Sequence, residues 1–245
     1  MRTITDICYG QNRAQCLDIH LPDAEEFSVL VYFHGGGLEG GDKKGPKLFF
    51  EYMTALKIAV VSANYRMYPN ARYPEFVEDT ASVVAWTIEN IANYGKVKEI
   101  YVGGSSAGGY LSQMLCFDKR WLAKHGIAPT DISGYIHDAG QPTCHFNVLR
   151  ERGIDSRRVM VDDSAPLYHI GEDNEYSPML VIVSDNDMKG RYEQTMLLMA
   201  TLEHFGHANK VKLKVMNGKH CAYVGAADQN GDSVLGKIVA EFILS

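Results

Sequence analysis

Short apolar runs alternate along the chain with longer segments in which apolar residues recur at helical spacing. Near-continuous apolar runs such as 28–33 are typical of strands that are buried on both faces of a parallel sheet. Apolar positions spaced as in 76–91 predict amphipathic helices. The predicted strands are 4–9, 15–21, 28–33, 57–63, 100–102, 132–137, 178–184 and 211–215, and the predicted helices are 45–56, 76–91, 110–117, 191–205 and 234–244.

This alternation predicts an α/β fold with a mostly parallel central sheet of about eight strands and helices on both faces. Turn residues between 4–9 and 15–21 indicate that the first two strands form a hairpin. We interpret residues 1–245 as a single domain. Residues 139–177 are polar and irregular. We interpret them as a short cap-like insertion over the carboxyl ends of the strands, where such sheets bind ligands.

The composition limits the class of protein. Of the 245 residues, 46% are hydrophobic and 22% are charged, as in ordinary soluble globular proteins. The formal net charge of −6, without a basic cluster, argues against a nucleic-acid partner. No apolar run approaches a membrane span, and the N-terminus lacks the apolar core of a signal peptide. The cysteines are odd in number and scattered, so we expect reduced thiols and a cytoplasmic protein.

A glycine-flanked serine motif, Gly104-Ser105-Ser106-Ala107-Gly108, lies between an apolar run and a predicted helix. In a sharp turn from strand to helix, the two glycines leave room for the backbone and expose the Ser106 hydroxyl. A phosphate-binding loop is the alternative, but no Gly-Lys-Ser/Thr follows and Gly-x-Gly-x-x-Gly is absent. The motif alone is weak, so a serine nucleophile requires further components elsewhere in the chain.

A run of three glycines directly follows the third predicted strand. Gly35, Gly36 and Gly37 are preceded by His34, and such a run usually marks a close approach of the backbone to another group. The N–H groups of Gly36 and Gly37 could bind a developing oxyanion, together with the N–H of Ala107. A flexible loop is the alternative interpretation. We interpret His34 as a brace for this loop rather than as a base.

Candidates for a base and its orienting acid follow later strands. His220 follows the last predicted strand and a glycine. Asp187 and Asp185 follow the preceding strand, and we favour Asp187 because its two further residues of reach let the carboxylate turn back toward His220. Asp138 is a further alternative. The other histidines considered as bases are His137, His145, His204 and His207, but only His220 combines the last strand with the order serine, acid, histidine.

Together these segments resemble the α/β-hydrolase fold, and within it the esterases and lipases of the hormone-sensitive-lipase type. The matching motifs are HGGG at 34–37, NYRMYP at 64–69, YPEFVEDT at 73–80, GGSSAGG at 103–109, SDND at 184–187 and GKH at 218–220. The resemblance implies Ser106 as nucleophile, His220 as general base and Asp187 as its orienting acid. It also implies Gly36, Gly37 and Ala107 as oxyanion donors, with no metal or organic cofactor.

The resemblance implies a serine carboxylesterase, and we expect it to act on short-chain, acetyl-type esters of small alcohols, including carbohydrates. An amidase or formamidase with the same triad is one alternative, and a non-catalytic binding protein on a hydrolase scaffold is the other. The short-acyl expectation rests on the charged segment 139–177 and on a chain that starts almost at its first strand. The expected partner is a small-molecule ester, and an edge strand or the C-terminal helix could mediate a homodimer. Candidate substrate-binding residues are Ser105, Tyr65 and His145.

Overall fold

The computed structural model describes residues 1–245. None of its helices has the length and apolar character needed to cross a membrane. The strands are β1 (Arg2–Cys8), β2 (Cys16–Leu21), β3 (Glu26–Phe33), β4 (Ile58–Ala63), β5 (Lys96–Ser105), β6 (Gly134–Asp138), β7 (Met179–Asn186) and β8 (Val211–Lys219). The helices are α1 (Lys47–Ala55), α2 (Glu75–Asn90), α3 (Ala107–Phe117), α4 (Arg120–Ala123), α5 (Phe146–Glu151), α6 (Arg191–His204) and α7 (Val234–Ile243).

All eight strands form one sheet in the order β1-β2-β4-β3-β5-β6-β7-β8. β2 pairs antiparallel with β1 and β4, which confirms the predicted N-terminal hairpin. Every other neighbouring pair is parallel. The predicted α/β fold with a mostly parallel sheet is therefore confirmed, and the carboxyl ends of β3, β5, β6, β7 and β8 share one edge.

Alternate side chains of the central strands enter two apolar cores, one on each face of the sheet. In β3, Val29 and Phe33 belong to the core that includes α2 and α3, whereas Leu30 and Tyr32 belong to the core that includes α1 and α7. Burial on both faces explains the near-continuous apolar run of this strand, because neither face can carry polar residues at low cost.

Two strands extend furthest beyond the apolar runs that predict them. β5 begins at Lys96, where it pairs with Glu26 of β3, although its first residues are exposed or half-buried. β8 continues to Lys219, where it pairs with Asn186 of β7. Backbone pairing with a neighbouring strand therefore extends both elements beyond the residues that hydrophobicity identifies.

The segment 139–177 contains α5 and a short 3₁₀ turn at Pro166–His169, although the sequence predicts no regular structure there. The prediction missed α5 because six residues are too few to show helical spacing. α5 lies against the glycine loop that follows β3, where Asn147 Nδ2 donates to Gly37 O at 2.8 Å and Arg150 pairs with Glu39. The insertion therefore packs on the edge formed by the carboxyl ends of the strands.

Candidate active site

Ser106 lies at the sharp turn between β5 and α3. Its backbone has φ 56° and ψ −112°, a conformation that costs energy for any residue with a side chain. A Cβ atom on Gly104 would lie 2.5 Å from Phe33 O, and one on Gly108 would lie 1.9 Å from the same oxygen. The two glycines are therefore required because the backbone of β3 passes directly beneath the turn.

Gly108→Ala is expected to destabilise the protein by more than about 3 kcal/mol, because the added methyl meets the fixed backbone of β3 and cannot be accommodated by rotation of a side chain. Gly225→Ala is the matched control, since a Cβ there meets no atom within 4 Å. Urea unfolding of the two variants measures the difference. Equal midpoints for both variants would contradict the tight contact between the turn and β3.

The turn brings Ser106 next to His220 and Asp187. His220 follows β8, and its Nε2 accepts a hydrogen bond from the Ser106 hydroxyl at 2.8 Å. With its proton on Nδ1, His220 donates to Asp187 Oδ1 at 2.5 Å. The structure thus brings together the three residues that were predicted as nucleophile, base and acid, from the ends of three different strands. This is the arrangement that activates a serine hydroxyl.

Asp187 rather than Asp185 reaches the histidine. The Met188 N–H donates to Asp187 Oδ1 at 2.7 Å and the Ser184 N–H donates to Oδ2 at 3.2 Å. Burial alone would raise the pKa of Asp187, but the hydrogen bond and charge of His220 lower this pKa below its ordinary value. Asp185 is exposed and accepts the Gly218 N–H at 2.8 Å, so it supports the turn that precedes His220.

The glycine loop after β3 lies against Ser106. A Cβ atom on Gly35 would lie 3.1 Å from Ser106 Cβ. Gly36 and Gly37 have φ values of +118° and +67°, and their N–H groups donate to no acceptor in the protein. Ala107 is the first residue of α3, where a backbone N–H has no partner within the helix. These donors next to the Ser106 hydroxyl could stabilise an oxyanion.

Tyr65 and His34 lie beneath the glycine loop. The Tyr65 hydroxyl donates to His34 O at 2.8 Å, and the two rings stack with their centroids 4.6 Å apart. His34 Nδ1 donates to Gly35 O at 2.7 Å, which matches its predicted role as a brace. Tyr65 is 0% exposed, so the prediction that it contacts substrate is wrong: its ring supports the loop from below.

Ser105 points away from Ser106 and into the protein interior. Its hydroxyl donates to Asp138 Oδ2 and accepts the Tyr32 hydroxyl at 2.8 Å. Tyr223 donates to the other Asp138 oxygen. Burial raises the pKa of Asp138 to about 6 despite these two donors. Ser105 is 4% exposed, so its predicted contact with substrate is wrong.

Asp138 is not bonded to the histidine. Its backbone oxygen accepts the Ser106 N–H at 2.7 Å, while its carboxylate bonds Ser105 and Tyr223. Asp138 therefore holds the turn from beneath and does not act as the acid partner of His220.

The other histidines make different contacts. His145 is 1% exposed and its Nδ1 accepts the Asn147 N–H at 3.2 Å, which caps α5. Its predicted contact with substrate is therefore wrong. Burial lowers the pKa of His137 to about 3, and this ring bonds Ser112. His204 ends α6, and His207 bonds Gly171 O.

Comparison with known proteins assigns the chain to a family. The model of the prolyl oligopeptidase family matches residues 73–239, more than half of the chain. The chain belongs to the prolyl oligopeptidase family. A second family model, BD-FAE, matches residues 17–125. The two matched ranges together include the glycine loop, the serine turn, the acid and the histidine.

Several curated relatives of this family member are named as esterases. Esterase LipQ of Mycobacterium tuberculosis (strain ATCC 25618 / H37Rv) is 25% identical over 98% of this chain and 60% of its own length. Carboxylesterase NlhH of the same strain is 37% identical over 37% of this chain and 29% of its own length. The chain thus spans less than two thirds of these relatives. Their names confirm the predicted resemblance to esterases of the hormone-sensitive-lipase type.

Solved structures confirm the α/β-hydrolase fold. Esterase B from Lactobacillus rhamnosis superimposes with a TM-score of 0.79 at 16% identity, over 99% of this chain and 84% of that one. Esterase 2 of Thermogutta terrifontis, phosphoramylated by tabun, superimposes with a TM-score of 0.79 at 20% identity, over 98% of this chain and 93% of that one. A truncated carbohydrate esterase from gut microbiota superimposes with a TM-score of 0.78 at 17% identity, over 100% of this chain and 97% of that one.

Several residues near this site were not predicted from the sequence. Tyr223 reaches Asp138 from the loop after β8, and its spacing from His220 matches no motif considered. Cys221 has φ 54°, and its Sγ lies 3.6 Å from His220 Nε2. Asn147 fixes the glycine loop from a helix too short to predict. Each depends on contacts between distant segments. No group of three His, Cys, Asp or Glu side chains is arranged to hold a metal ion.

Proposed function

We propose that this protein is a serine carboxylesterase in which Ser106 is the nucleophile. The observation that carries the proposal is the continuous set of hydrogen bonds from Ser106 through His220 to Asp187, beside the unpaired N–H groups of the glycine loop. Curated relatives named as esterases and carboxylic ester hydrolases support an ester as the substrate.

Catalysis begins when Ser106 Oγ attacks the ester carbonyl carbon and His220 Nε2 takes the hydroxyl proton. Negative charge then develops on the carbonyl oxygen, where the N–H groups of Gly36, Gly37 and Ala107 stabilise it. One such donor typically lowers the barrier by about 3 kcal/mol. Protonated His220 gives its proton to the leaving alcohol, and Asp187 stabilises the imidazolium during this step.

A water molecule then attacks the acyl-enzyme by the same route in reverse. His220 takes a proton from the water, and the tetrahedral intermediate collapses to release the acid and restore the Ser106 hydroxyl. An amidase or formamidase would use the same residues, so the leaving group distinguishes them. The names of the relatives favour the alcohol as leaving group over the amine.

The substrate proposed is a short-chain, acetyl-type ester of a small polar alcohol, including carbohydrate alcohols. The segment 139–177 is charged where it packs against the glycine loop, because Arg150 pairs there with Glu39. Within the segment, Arg152 pairs with Asp162. A long acyl chain would need a deep tunnel or a broad apolar lid, whereas these ion pairs favour a polar group.

A series of 4-nitrophenyl esters from acetate to palmitate tests the proposed chain length. We expect kcat/KM to be greatest between acetate and butyrate and to fall by about tenfold or more at decanoate, because a long chain finds no apolar surface of matching length. Steady-state hydrolysis is followed by nitrophenolate release, with the Ser106→Ala variant as the blank. A maximum at decanoate or palmitate would show that the short-acyl proposal is wrong.

A further inference from the structure

A cavity of about 560 Å³ borders the turn that follows Asp187. Phe146 forms one wall, and its ring lies 3.1 Å from the position that a Cβ atom would take on Gly37. Met188 forms another wall, and its N–H donates to Asp187. The cavity therefore lies between the proposed oxyanion loop and the turn that carries the proposed acid, where part of a bound substrate can extend.

The lining of this cavity is strongly basic. Arg157, Arg158, Lys189 and Arg191 line it, and no aspartate or glutamate does. Arg157 is paired with Asp155, but Arg158 and Lys189 form no ion pair. This concentration of positive charge opposes the overall net charge of −6, so it gives the cavity a local attraction for anions.

Arg191 is the buried member of this set. It is 4% exposed, and its guanidinium donates to Ala139 O at 2.6 Å and to Gln141 Oε1 at 3.0 Å. Both acceptors are neutral, and they use two of the five N–H donors of the group. Arg191 donates to no carboxylate, and the charge of nearby Asp187 offsets only part of the desolvation of its guanidinium. Burial accordingly lowers the pKa of Arg191 to about 10. An anion in the cavity would supply the missing charge.

We propose that this basic cavity binds a carboxylate group of the substrate, so that the preferred ester carries a negative charge near its scissile bond. The inference rests on the proposed esterase function and adds the chemical class of substrate. Arg158 and Lys189 supply mobile charge at the exposed rim, and Arg191 supplies a fixed charge at the base. The carboxylate belongs either to the acyl part or to the alcohol part, and paired substrates distinguish the two.

The test compares anionic esters with neutral partners of similar size. For the alcohol part, 4-acetoxybenzoate is compared with methyl 4-acetoxybenzoate, and for the acyl part, 4-nitrophenyl hydrogen adipate is compared with 4-nitrophenyl hexanoate. We expect kcat/KM to favour the anionic member of at least one pair by about tenfold or more at low ionic strength. The preference should decrease as salt screens the charges at the rim of the cavity.

The double variant Arg158→Gln/Lys189→Gln is expected to reduce this ratio severalfold, mainly through KM for the anionic ester, while Arg191 keeps part of the preference. Lys210→Gln is the matched control, because Lys210 is an exposed cation directly before the start of β8, at the opposite edge of the sheet. It should keep the wild-type ratio. Circular dichroism confirms that each variant is folded.

Hydrolysis of both members of both pairs without a charge preference would overturn the inference and leave the esterase proposal intact. A charge preference that the double variant retains undiminished would also overturn it, because Arg158 and Lys189 would then take no part in recognition of the charge. If none of the four esters is hydrolysed, the proposed function is wrong, and the inference that rests on it is wrong as well.

Discussion

Replacing Ser106 with alanine is expected to lower kcat for 4-nitrophenyl acetate by roughly 10⁴-fold to 10⁶-fold, because the nucleophile is lost while the oxyanion donors remain. The fold should persist, since the substitution removes one oxygen from a turn that faces the site and leaves every backbone contact in place. Activity measurements together with thermal unfolding separate loss of chemistry from loss of structure.

Ser105→Ala provides the matched control for this prediction. The Ser105 hydroxyl is directed into the interior toward Asp138, so a fluorophosphonate that reacts with the nucleophile should still label this variant and should fail to label Ser106→Ala. Substantial turnover in Ser106→Ala, accompanied by loss of labelling in Ser105→Ala, would transfer the nucleophile to Ser105.

Replacing Asp187 with asparagine is expected to lower kcat by about 10⁴-fold. Where its amide nitrogen faces His220, the asparagine donates to Nδ1, so the imidazole carries its own proton on Nε2 and cannot accept the Ser106 proton there. Substrate binding should change little, because Asp187 is bonded to His220 and to backbone N–H groups behind it. Steady-state kinetics that separate kcat from KM measure the effect.

Asp185→Asn is the matched control on the same turn. An asparagine there retains an oxygen that can accept the Gly218 N–H, so kcat should remain within about threefold of the wild-type value. Similar losses in the two variants would mean that the Asp187 effect reflects disturbance of the turn. A larger loss in Asp185→Asn would assign the acid to Asp185.

The sequence was sufficient to predict the parallel sheet and the position of the site at its edge. Burial on both faces leaves a continuous apolar run such as that of β3, and this pattern is local to the strand. The glycines around Ser106 could be identified from the sequence for the same reason, because a tight turn restricts residues that are adjacent along the chain. Because parallel strands end at one edge, the order of these motifs along the chain was enough to predict that Ser106 and His220 meet.

The directions of individual side chains required the tertiary structure. Sequence reasoning assigned Ser105, Tyr65 and His145 to the substrate, whereas the structure buries all three behind the site. Ser105 and Tyr65 each lie within a few residues of the end of a predicted strand, and proximity along the chain does not specify which side of the backbone faces the cleft. That side depends on contacts such as the bond from Ser105 to Asp138, between residues far apart in sequence.

The choice between Asp185 and Asp187, and the basic cavity, also depend on tertiary contacts. Asp185 and Asp187 are the same residue type and lie two positions apart. Only the path of the chain after β7 brings Asp187 to His220. The cavity combines cations from the segment before β7 with cations from the start of α6. The chain alone therefore determined its fold class and the chemistry available at one edge, and packing of distant segments decided which groups face the substrate.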